Sequence, residues 1–109
     1  MTKDYKIYCK DILLSIESIQ KFVANMSFEQ FAADDKTSSA VIRKFEIIGE
    51  AAKQIPEEIR QKYSSVPWKE MAGMRDKLIH FYAGVDYRLV WETLKDKLPA
   101  LKDQIKSLL

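Results

Sequence analysis

Apolar side chains recur every three or four positions along almost the whole of this sequence, and that regularity limits most of what the chain can become. Val41, Phe45, Ile48, Ala52 and Ile55 form one seam on a helix of about 3.6 residues per turn. Ile12, Ile16, Ile19 and Val23 form another near the amino terminus, and Val90, Leu94, Leu98, Leu101, Ile105 and Leu108 a third near the carboxyl end. No stretch alternates apolar and polar residues as a half-buried strand does, and three Gly and three Pro leave little turn chemistry for hairpins. At 109 residues the chain has enough material for one core and too little for two. The expectation is an all-α fold, an up-and-down bundle of four or five helices in a single domain spanning residues 1–109.

Local signals divide the bundle. The first helix is predicted over residues 4–25. Ser27 and Gln30 have the spacing of a capping box and begin a short turn carrying Phe28 and Phe31, which Asp34 and Asp35 close. A long helix follows over residues 37–54, and Pro56 begins a short one over 57–63. Pro67 opens a third long helix over 68–82, ended by Gly84. Asp86 is an N-cap for a helix over 87–98, and Pro99 opens a last segment.

Composition narrows the functional classes. With 47% hydrophobic and 31% charged residues the chain lies away from the disordered regime. Eighteen Lys and Arg against sixteen Asp and Glu give +2, so contact with a polyanion has to be local. The lone Cys9 cannot form an internal disulfide, and the first ten residues lack the apolar run of a signal peptide, which points to the cytoplasm. No segment reaches the roughly 18 to 20 apolar residues that a bilayer span requires, so no membrane is expected.

The chemistry concentrates on the predicted third helix. At about 100° per residue, Met71, Ala72, Arg75, Leu78, Ile79 and Tyr82 share one arc, with Arg75 in its middle. An unpaired guanidinium in a dry core costs several kcal/mol or more, so a carboxylate has to meet it, or the stripe borders a groove or a second subunit. Asp76 and His80, one helical turn apart, lie on the adjacent face, where the carboxylate can orient the imidazole. Taken singly, each residue has an ordinary reading: His80 as a cap or surface group, Arg75 as an ion-pair partner of Glu46 or Glu50, and Tyr82 as an edge-of-core aromatic. Arg43, Glu46, Glu50 and Lys53 on the preceding long helix read either as a solvated face or as the polar wall of a cleft. One His and one Cys fall short of the ligands zinc uses, and neither a Ser-His-Asp arrangement nor a glycine-rich phosphate loop has its motif.

The run RDKLIHFY at residues 75–82 is Arg, four residues, His, one residue, Tyr, with a polar residue directly after the Arg. It resembles the signature of the HEPN ribonucleases, in particular the HepT toxins. RKFEIIGEAAK at 43–53, PW at 67–68, GMRD at 73–76, VDYRLVW at 85–91, and MSFEQF with the KTSSAV that follows it look like the same family, so the resemblance covers essentially the whole chain. It implies a homodimeric helical endoribonuclease of a HEPN/MNT toxin-antitoxin system, with Arg75, His80 and Tyr82 as its motif residues in a cleft shared by two subunits. It also implies an antitoxin that is a minimal nucleotidyltransferase and adds AMP to Tyr82.

The residue types suit that chemistry. RNA carries its own nucleophile, the 2′-hydroxyl, so a metal-free enzyme without cofactor needs a proton acceptor, a proton donor and a cation for the phosphate. His80 fits the first two roles, two copies of it being available in a dimer. Arg75 fits the third, and Asp76 would support His80 by fixing its tautomer. Tyr82, seven residues from Arg75, could hold RNA by stacking or hydrogen bonding. Two other readings compete with this one. In the first, a non-catalytic helical dimer binds nucleotide or a nucleotidyltransferase partner. In the second, a purely structural bundle leaves Arg75 to be answered by a buried acid.

Overall fold

The computed structural model describes residues 4–80, with His80 by its main chain alone, and residues 84–109. The architecture is all-α apart from one minimal strand pair. In chain order it runs α1 (Tyr5–Phe22), α2 (Phe28–Ala33), α3 (Asp35–Lys53), α4 (Glu57–Lys62), α5 (Trp68–Ala72), α6 (Met74–Leu78), β1 (Ile79–His80), β2 (Gly84–Val85), α7 (Tyr87–Asp96) and α8 (Leu98–Lys106). These eight helices among the described residues exceed the four or five expected, because several are single turns that periodicity alone cannot separate.

The two long helices α1 and α3 lie against each other and form the frame, with α8 on α1, α7 against α8 and α2, and α5 and α6 on α3. Their facing seams are the ones visible in the sequence. Ile12, Ile16 and Ile19 of α1 and Val41, Phe45, Ile48 and Ala52 of α3 are all buried, joined by Val90 and Leu94 of α7 and Leu98, Leu101 and Ile105 of α8. Each large side chain so buried contributes about 1.5–3 kcal/mol from removal of its surface from water.

Caps set the ends. Asp4 accepts a hydrogen bond from the Lys6 amide and starts α1, which stops three residues before 25, with Asn25 in the left-handed region at φ 64°. Ser27 and Gln30 form the expected reciprocal box, the Ser27 amide donating to Gln30 Oε1 at 2.9 Å and the Gln30 amide to Ser27 Oγ at 3.1 Å. Asp34 ends α2 and caps α3 at once. Its carboxylate accepts from the Thr37 amide at 3.0 Å and from Thr37 Oγ1 at 2.8 Å, so α3 begins two residues earlier than position 37.

The third long helix predicted over 68–82 is not continuous. It breaks at Gly73 into α5 and α6, and helical geometry ends at Leu78. Ile79 and His80 are extended and pair antiparallel with Val85 and Gly84 respectively. Just beyond the ladder the Asp86 amide donates to the Leu78 carbonyl at 3.0 Å. Gly84, at φ 79°, holds a conformation that glycine adopts without strain.

Candidate active site

The segment carrying the candidate residues is pinned from both ends. Trp68, 5% exposed, donates its indole N–H to the Tyr63 carbonyl at 3.1 Å and fixes the start of α5, while Met71 fills the core below it. Leu78, 1% exposed, anchors the end of α6, and its carbonyl is tied to Asp86. Between these anchors the chain comes close to α3 at Gly49. A Cβ placed there would stand 3.2 Å from the Met71 carbonyl oxygen and 3.4 Å from that of Ala72, so the missing side chain is what admits α5.

Arg75 therefore sits over the polar face of α3 and not within an apolar stripe, as a continuous helix would require. Its side chain is 56% exposed, and of the answers the helical wheel left open, a carboxylate and a bordering groove are both found. The break at Gly73 has rotated it out of line with the buried Met71. Glu46 meets it from α3, with Oε2 3.5 Å from Nε, and Asp76 from its own helix, with Oδ1 3.4 Å from Nη1. Glu46 is the partner the sequence offered together with Glu50. Exposed pairs of this kind contribute about 0 to 1 kcal/mol, so they orient the guanidinium more than they stabilise the fold. A guanidinium has five N–H donors, and among the described residues Nη2 has no protein partner.

The groove beneath Arg75 has a volume of about 290 Å³ and is walled by Arg43, Glu46, Glu50 and Lys53 of α3, with Ala72, Arg75 and Asp76 opposite. The charge ladder on α3 is thus the polar wall of a cleft. Asp76, read from the sequence as a partner of His80 one helical turn away, contacts Arg75. The helix ends before residue 80, so the one-turn relation between them is lost. His80 is placed by main-chain pairing with Gly84, five residues beyond Arg75. Tyr82 lies outside the described residues. Among those residues no group of three or more His, Cys, Asp or Glu could hold a metal ion, and no helix is long and apolar enough to cross a membrane.

Two features of the site went unread in the sequence. Gly73, already visible within GMRD, is a helix breaker in mid-pattern, the signal that could have exposed the break. Gly49, inside the seam of α3, marks a close backbone approach.

The ribonuclease HepT-like family matches residues 12–108. A protein of Thermococcus cleftensis named "Probable ribonuclease HepT" is 48% identical over 108 residues, covering 99% of this chain and 98% of its own. A protein of Caldanaerobacter subterraneus subsp. tengcongensis, provisionally named an RNase, is 50% identical over 102 residues, covering 94% and 91%. One from Methanocaldococcus jannaschii, also provisionally named an RNase, is 47% identical over 107 residues, covering 98% and 88%. No solved structure matches the chain. With close to half of all positions shared along nearly the full length of these relatives, the chain belongs to the HepT-like ribonuclease family.

Proposed function

We propose that this HepT-like ribonuclease cleaves RNA internally and without a metal, using Arg75 and His80 of two copies of the chain, and that it is the toxin of a toxin-antitoxin pair. The observation that carries the catalytic reading is the state of Arg75: a half-exposed guanidinium, oriented by two carboxylates and without a protein partner at Nη2 among the described residues, only five residues before the sole histidine. That is the disposition of a cation that receives an anion from solution.

The reaction follows from RNA's own chemistry. A base takes the 2′-hydroxyl proton, the 2′-oxygen bonds to phosphorus, and the bond from phosphorus to the 5′-oxygen breaks while an acid protonates the leaving oxygen. The products are a 2′,3′-cyclic phosphate and a 5′-hydroxyl. Arg75 stabilises the charge growing on the phosphate oxygens. Glu46 and Asp76 hold the guanidinium in place. One imidazole cannot accept and donate a proton in the same step, and each chain has a single His, so a homodimer supplies the second.

Tyr82 is the control point in this reading. Transfer of AMP from ATP to its hydroxyl by a nucleotidyltransferase antitoxin adds a phosphodiester charge seven residues beyond Arg75, able to pair with the guanidinium that RNA uses.

The test is cleavage by variants verified as folded by circular dichroism. His80→Ala lowers the rate by about 10² to 10⁴, the usual worth of general acid-base catalysis. Wild-type activity persists in chelator, needs the 2′-hydroxyl and leaves a cyclic phosphate. A fully active His80→Ala protein, or abolition by chelator, overturns the mechanism.

A further inference from the structure

The short helix α6 has two flanks. Toward α3 it presents Arg75 and Asp76, and Lys77, about 200° further round the helix, lies on the flank toward α7. There a pocket of about 280 Å³ is lined by Lys69 of α5, Lys77 of α6 and Lys97 just after α7, over Met74, Leu78 and Thr93. The three lysines come from three separate stretches of chain, and Glu70 is the one carboxylate residue in the lining. Among the described residues none of the three lysines is within ion-pair distance of an acid, whereas Lys53, Arg75 and Lys102 are all paired.

Like charges gathered around an apolar recess describe the complement of a nucleotide. Met74 is half-buried, so part of its side chain is open for a flat base to lie on, with the buried Leu78 behind it. Solvated ammonium groups at the same opening suit a phosphodiester. The volume is at the bottom of the range of about 300–1,000 Å³ found for small-molecule pockets, enough for one nucleotide unit. The larger opening of about 510 Å³ beside α4 has no such character, because its lining holds as many acids, Glu57 and Glu70, as bases, Arg60 and Lys69. Gly73, exposed and without a side chain, lies at the junction of α5 and α6 and lines the lysine pocket.

We infer that this pocket is a subsite for the RNA strand, holding one nucleotide beside the scissile phosphate, its base against Met74 and its phosphodiester on Lys69, Lys77 and Lys97. The inference rests on the ribonuclease reading above. It extends the substrate path from the Arg75 groove across Gly73 to the α7 flank.

The experiment uses the full chain and a labelled single-stranded 2′-O-methyl oligoribonucleotide, which lacks the attacking hydroxyl and cannot be cut. Affinity is followed by fluorescence anisotropy across a salt series for wild type, Lys77→Gln, Lys97→Gln and, as a distant control, Lys10→Gln. Each pocket variant binds severalfold more weakly, with a log–log salt slope shallower by about 0.7, the value for one phosphate contact on a single strand. Lys10→Gln matches wild type. On cleavable RNA, Lys77→Gln raises KM and leaves kcat near wild type, the signature of lost uniform binding. If Lys77→Gln and Lys97→Gln bind like wild type or like the control, the subsite is refuted while the ribonuclease reading stands. Displacement of the oligonucleotide by free AMP at equal concentration also refutes it, in favour of a mononucleotide site. A wild-type protein that neither binds nor cuts RNA removes the ribonuclease reading, and the subsite with it.

Discussion

Replacing Gly49 by alanine sets two effects of one methyl group against each other. In a helix interior alanine is favoured over glycine by about 1 kcal/mol, so on α3 alone the substitution stabilises. The packing opposes it. The new Cβ stands 3.2 Å from the Met71 carbonyl oxygen and 3.4 Å from that of Ala72, against an optimal separation of about 3.5 Å or more. Both obstructing atoms are main chain, and α5 is held by the buried Trp68 and Met71, so neither can turn aside as a side-chain tip would. Overpacking of this kind costs about 1–3 kcal/mol. The balance is a net loss of about 1 kcal/mol, or a fall in Tm of roughly 4–8 °C for a domain near this size. Because Arg75 lies three residues past Ala72, the displacement also reaches the guanidinium, and cleavage falls more than the fraction folded accounts for. Thermal unfolding by circular dichroism and initial cleavage rates at a temperature well below Tm measure the two effects separately. A Gly49→Ala protein as stable as wild type or more so would refute the close approach as the reason for glycine.

Two further outcomes follow from the structure and a third from the proposed function. Hydrogen bonds from the Thr37 amide and then the Thr37 hydroxyl hold the Asp34 carboxyl below its ordinary value of 3.8. Its contribution is therefore complete above that value and lost as the pH falls through the lower native one, so Asp34→Asn flattens the acid limb of the stability curve below pH 3.8 and leaves its shape at neutral pH unchanged. Burial pushes the Cys9 thiol up, and the residue is 0% exposed, so a thiol reagent modifies the native protein only as fast as it opens and the urea-unfolded protein at once; rapid native labelling would contradict the burial. Under the proposed function, Tyr82→Phe escapes adenylylation by a nucleotidyltransferase antitoxin when intact mass is followed with ATP, and label found on Tyr87 or on no tyrosine discards the assignment.

Much of this was legible before any coordinates, and the division has a physical cause. The buried seams of α1, α3, α7 and α8 were readable because a long amphipathic helix repeats its signal many times, and Ser27, Asp34 and Asp86 because a cap is a local hydrogen bond. The helix predicted over 68–82 was misread as continuous because its apolar spacing is unbroken, while its described backbone breaks at Gly73 and becomes extended at Ile79. Met71 and Leu78 are both buried, seven residues apart, yet the turn at Gly73 and the strand at Ile79 lie between or beside them. Tertiary packing against Gly49 and the ladder to Val85 decide that conformation, and both act between residues distant in sequence. For Arg75 the sequence offered Glu46 or Glu50 as partner and could not choose between them; Glu46 meets it, on an exposed guanidinium that the acid orients.

Asp86 performs two jobs with two different atoms. Its amide closes the strand pair on the Leu78 carbonyl at 3.0 Å, and its carboxylate accepts the Leu89 amide at 3.0 Å to start α7. A single residue is thus the hinge pin between the segment bearing Arg75 and His80 and the helix that packs on α2 and α8. Neither can swing away without unseating the other's first hydrogen bond, so they open as one cooperative unit. Hydrogen exchange at the Asp86 and Leu89 amides should accordingly proceed at matched opening free energies, which makes this pair of protons a clock for the release of the segment bearing Arg75 from the body of the protein.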